Sequence, residues 1–133
     1  MGRRKLIVNN VLILEIDDMR LTASSVNTTA GAGATSVYTV PSSGSAMESI
    51  VIGITLANKT NAGVTASVFL DNYDGSNDVY IVKDASVPSG SSLEVMSGNK
   101  LVLQGNGSAN DVIRVSAGTA TALDATVSVL EDV

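Results

Sequence analysis

A chain of 133 residues, 44% of them hydrophobic, is long enough to bury the core of one domain, and with no cysteine it must do so without disulfides. The absence of cysteine and histidine excludes thiolate zinc sites, thiol nucleophiles and serine-histidine-acid triads, and 3% aromatics without tryptophan leave few ring faces for sugars or unpaired bases. Of the net charge of −5, Arg3, Arg4 and Lys5 supply three positive charges, so the rest of the chain carries −8 (−5 minus 3), which repels phosphate backbones and argues against nucleic acid as a partner.

The basic head runs into "LIVNNVLILEI", and Asn9-Asn10 divides this apolar stretch into two short strands or one strand with a bulge. Asn9, Asn10 and the acids Glu15, Asp17 and Asp18 interrupt it too soon for a signal peptide, and a membrane span, which needs roughly 18 apolar residues, is not expected anywhere in the chain. An unpaired strand of this composition is an aggregation hazard, so residues 1–16 are expected to form an assembly arm. It would pair with its own domain or, in the favoured reading, with a neighbouring subunit's edge. Arg3, Arg4, Lys5, Leu6 and Val8 are its expected interface residues, and residues 17–133 form the single domain that follows.

"TASSVNTTAGAGATS" reads as a long loop or a weak edge strand, because small polar residues bury little surface to offset their ordering. Its "GAGATS" matches neither a dinucleotide-binding fingerprint nor a phosphate-binding loop. Strand signals then persist. Residues 37–40 lead into Pro41, and residues 47–57 alternate so that Ile50, Ile52, Ile54 and Leu56 are expected inward. Further strands are expected at 64–70, 79–83, 92–95, 100–104, 111–116 and 121–131, adding Val68, Ile81, Leu103, Ile113, Val115, Leu123, Val127 and Val129 to the expected core. Short strands separated by turn signals, with no helical periodicity, predict an all-β fold: an antiparallel β-sandwich, jelly-roll-like or immunoglobulin-like, with an N-terminal strand-like arm.

Both prolines stand in Val-Pro-Ser followed by glycine and serine, at Pro41 and Pro88. A residue without a backbone donor belongs at a strand's end, so the echo is read as a shared turn device and not as a duplicated unit. The acidic loop "DNYDGSND" contains Asp71, Asp74 and Asp78, the candidates for calcium. It fails the EF-hand spacing, with Tyr73 and Gly75 where ligands belong, so a hairpin turn without metal is expected and no cofactor is assigned. The thirteen acids are scattered through turns and outward strand positions, which does not suggest paired catalytic carboxylates; no enzyme activity or small-molecule substrate is expected.

"LTASSVNTTAGAGATSVYTVPSSGSAMESIVIGITLANKT", "VPSGSSLEVMSGNKLVLQ" and the closing "LDATVSVLED" resemble, over residues 21–132, small β-rich virion structural proteins of tailed bacteriophages. In those proteins a Tyr-Thr-Val-Pro corner, an Ile-x-Leu-Ala-Asn strand end and a Val-Pro-x-Gly-Ser-Ser-Leu hairpin recur in this order. The resemblance implies a capsid decoration or cement protein, homo-oligomeric, located in the virion after assembly in the host cytoplasm and bound to the major capsid protein or other virion proteins. A tail, neck or fibre-associated protein is the alternative within that class. A glycan-binding adhesin module, with Tyr73 and the acidic loop as its site, is the alternative outside it.

Overall fold

The computed structural model describes residues 5–8, 11–14, 18–26, 34–41, 47–72, 79–105 and 109–132. Among these the chain forms β1 (Lys5–Val8), β2 (Val11–Leu14), β3 (Asp18–Val26), β4 (Thr35–Thr39), β5 (Met47–Asn58), β6 (Val64–Asp71), β7 (Val79–Val87), β8 (Ser92–Glu94), β9 (Leu101–Gly105), β10 (Val112–Ala117) and β11 (Leu123–Asp132), and no helix. One sheet has the order β4-β10-β6-β7. The second has the order β3-β11-β5, with β8 and β9 following one another along the far side of β5. Every ladder is antiparallel, and the two sheets pack face to face as the expected β-sandwich.

The interior is built from β-branched and leucine side chains, which suit a pleated surface buried on one side. Ile54, Leu56, Val68, Leu103, Ile113, Val115, Leu123, Val127 and Val129 are fully buried, as the alternation predicts. Ile81 is half-buried against this core.

Two expected core residues are not where simple alternation puts them. Ile50 is half-buried and Ile52 is 40% exposed, whereas Val51 is completely buried. The register explains the reversal: Ser128 pairs with Gly53 and Val129 with Val51, so Ile52 is an extra residue in β5, a β-bulge. One inserted residue flips the phase of everything beyond it. Ile54 and Leu56 point inward on one side of the bulge, Val51 and Ser49 on the other, and Ile50 and Ile52 turn to the outside.

The small polar stretch that predicts a loop or weak edge strand is partly strand. β3 forms the outer edge of the second sheet, registered from Asp18 opposite Glu131 to Val26 opposite Leu123. Its backbone supplies the ladder, so little side-chain volume is needed. β1 and β2 pair with each other, from Lys5 opposite Leu14 to Val8 opposite Val11, as a two-stranded sheet separate from both larger ones.

Candidate functional site

Several residues in the quoted motifs meet inside the sandwich. Tyr38, in β4 of the first sheet, donates its hydroxyl to Glu131 Oε1 of the second at 2.6 Å, and its oxygen lies 2.8 Å from Ser49 Oγ. All three are buried, and Ser49 and Glu131 are ladder partners. Since the single phenol proton goes to the carboxylate, Ser49 is the donor in the second bond. The chain Ser49 to Tyr38 to Glu131 is thus a polar rivet through an apolar core.

A second tie secures the other end. Asn58, buried at the end of β5, donates through Nδ2 to the carbonyls of Ala62 (2.7 Å), Val87 (3.0 Å) and Pro88 (3.2 Å), while its backbone N–H bonds Ser91 O at 2.8 Å. Across the Pro88 corner the Ser91 N–H returns to Pro88 O at 3.2 Å, with Gly90 at φ 66, a conformation that glycine adopts without steric cost. The Ala-Asn strand end and the Val-Pro-Ser-Gly corner are therefore two halves of one joint.

Two outer surfaces remain. On the first sheet, the register aligns Ser36, Arg114, Phe69 and Tyr80 in one row across all four strands. Arg114 donates through Nε to Asp71 Oδ2 at 2.9 Å and through Nη1 to Ser36 Oγ at 2.7 Å. Phe69 and Tyr80 make a tilted ring pair 5.5 Å apart, and Lys83 Nζ lies 5.6 Å from the Tyr80 ring centre. Beside them Asp84 adopts φ 51, its N–H held by Ser67 Oγ at 2.9 Å. The Lys83 ammonium, hydrogen-bonded to Asp84, holds that carboxyl below its usual range, and Asp84 raises Lys83 in return. Val79 is 57% exposed and Tyr80 49%, both on β7, an edge strand of the sheet among the described residues.

On the second sheet, the bulge produces an outward apolar row. Leu130, Ile50 and Val102 are register partners in sequence across β11, β5 and β9, and Ile52 adjoins them. Val102 is 58% exposed. The next row carries Glu48 and Gln104, whose Nε2 donates to Glu48 Oε1 at 3.5 Å.

Of the sequence-predicted site residues, Asp71 is described and forms the ion pair with Arg114. Asp74, Asp78 and Tyr73 lie outside the described residues, as do Arg3 and Arg4. Lys5, Leu6 and Val8 are in β1. Chelator treatment is expected to leave the melting temperature unchanged; a fall that calcium restores would make the Asp71 to Asp78 loop a metal site. Sequence reasoning missed the rivet, although its signal was present, since Glu131 falls in phase with Leu123, Ala125, Val127 and Val129. A charge on the core phase of a strand calls for a buried partner. The outward apolar row gave no such signal, because it depends on the bulge.

No protein-family model matches the chain, and no curated protein matches it.

Proposed function

We propose that this protein is a non-enzymatic structural component of a bacteriophage virion, a decoration or cement protein that binds the assembled head and bridges neighbouring shell subunits. The exposed pair Val79 and Tyr80, on β7 at the edge of the sheet among the described residues, with Lys83 beside the ring, carries the reading. A tyrosine supplies a large, stiff, amphipathic contact, and an unpaired strand edge supplies a row of backbone donors and acceptors. The described motif residues Tyr38, Asn58, Pro88 and Glu131 go into holding two sheets together, a use that suits a rigid part repeated over a shell. The partner is the major capsid protein.

The test is quantitative mass spectrometry of purified particles, together with rebinding of the purified protein to particles stripped of it. A copy number comparable to that of the shell protein is expected, and Tyr80→Ala should weaken rebinding by roughly tenfold or more while the protein stays folded. A few copies per particle would move the protein to the tail or neck, and absence from particles would overturn the virion reading altogether.

A further inference from the structure

Tyr80 stands on a sheet face, and the strand edge beside it is interrupted. Its ladder partner is Phe69, whose neighbour Val68 lies in the core, so alternation puts both rings on the outer face of the first sheet. The buried Phe69 ring braces Tyr80 from one side, and the Lys83 ammonium lies 5.6 Å from its centre.

Two register shifts break the edge. Tyr80 pairs with Phe69 and Val82 with Val68, which makes Ile81 an extra residue; Ala85 then pairs with Ala66, so Lys83 and Asp84 together stand opposite Ser67. A bulge disrupts the ladder and bends its strand, and bulges and lysines are devices by which an edge resists the addition of another strand. Asp84, at φ 51, has left the extended conformation, and Ser67 Oγ holds its N–H there. The backbone groups of β7 are thus offered in short pieces and not as a continuous ladder. A partner that contacts Tyr80 approaches from the face.

The charges define that partner. The described charged residues of this face cancel in pairs beside the aromatic centre, Lys83 with Asp84 at 3.1 Å and Arg114 with Asp71 at 2.9 Å. A charged partner surface would lose hydration and find no unmatched opposite charge in return. A neutral surface avoids that cost: an apolar pocket takes the ring while both ion pairs stay at the wet rim. The row from Tyr80 through Phe69 and Arg114 to Ser36 crosses all four strands, about 14 Å at ~4.8 Å per strand. A stable interface takes roughly 800 Å² from each partner, about 30 Å across, so one centred on Tyr80 reaches Ser36.

We propose that the outer face of the β4-β10-β6-β7 sheet docks face-on against the shell subunit, and that its occupant is a net-neutral surface of that subunit with an apolar pocket for the Tyr80 ring. The proposal rests on the virion reading and adds to it the docking face, the exclusion of strand addition and the chemistry of the partner surface.

The test is rebinding to stripped particles by variants shown to be folded by circular dichroism. Arg114→Asp, two strands in from the β7 edge, sets two acids side by side on the face and should weaken rebinding at least roughly tenfold. Adding Asp71→Arg restores an internal pair and should recover the affinity to within about threefold. Ser36→Tyr, at an exposed position on the far strand of the row, should weaken rebinding roughly tenfold through bulk alone, and it decides the matter should Arg114→Asp not fold. Val102→Glu, exposed on the other sheet, should have no effect. If Tyr80→Ala weakens rebinding and neither Arg114→Asp nor Ser36→Tyr does, the partner adds a strand at the edge and the face-on proposal fails alone. A loss from Arg114→Asp that Asp71→Arg does not recover means a charged partner surface and also overturns it. If the unsubstituted protein neither occurs in particles nor rebinds them, the virion reading fails, and this proposal with it.

Discussion

Ile54→Ala is expected to destabilise the protein by about 2 to 5 kcal/mol, the usual cost of emptying a fully buried isoleucine site, whereas Ile52→Ala, two residues away in the same strand, should cost about 1 kcal/mol or less. The two side chains have identical chemistry and nearly identical positions in sequence. They differ because the bulge at Ile52 changes the facing of β5: Ile54 is completely buried and Ile52 is 40% exposed. Denaturant unfolding measures both, and a shifted midpoint at constant slope isolates the stability change. Equal losses would mean that β5 is regular and that Ile50 and Ile52 belong to the core after all.

Tyr38→Phe should be the second large effect, about 2 to 3 kcal/mol, from a change that removes one oxygen atom. The phenol is the donor to the buried Glu131 carboxylate and the acceptor for the buried Ser49 hydroxyl. Without it the buried Glu131 carboxyl and the buried Ser49 hydroxyl each lose a hydrogen bond to the phenol. The apolar ring remains, so packing is preserved and the loss reports the polar rivet itself. Combining Tyr38→Phe with Ser49→Ala should cost less than the sum of the separate changes, because both act on one network. Strict additivity would show that the two groups are not coupled.

The rivet and the Asn58 joint bear on the proposed role through mechanics. Each ties segments far apart in sequence, residues 38 and 131 in one and residues 58 and 87 in the other. A part carried in many copies on a shell under internal load gains from cross-links that resist shear between its sheets.

Much of this protein was determined by sequence alone. Period-two alternation in residues 123–131 and 64–70, glycine and proline at the corners, and the lack of a helical repeat determine an antiparallel sandwich, because side-chain direction in a strand follows position parity and turns require particular backbone angles. The N-terminal run was readable as broken at Asn9-Asn10, into two short strands or one bulged strand, and the pairing of β1 with β2 selects the former. The tertiary structure decided the rest. Which face of residues 47–53 lies inside depends on one extra residue in the ladder with β11, and a bulge is a property of two strands together, invisible in either one. That Glu131, Ser49 and Tyr38 meet depends on which strands become neighbours across the two sheets. The outward apolar row follows from the same cause: Ile50, Val102 and Leu130 come from three strands far apart in sequence, and only hydrogen-bond register, a long-range relation that composition does not encode, sets them side by side.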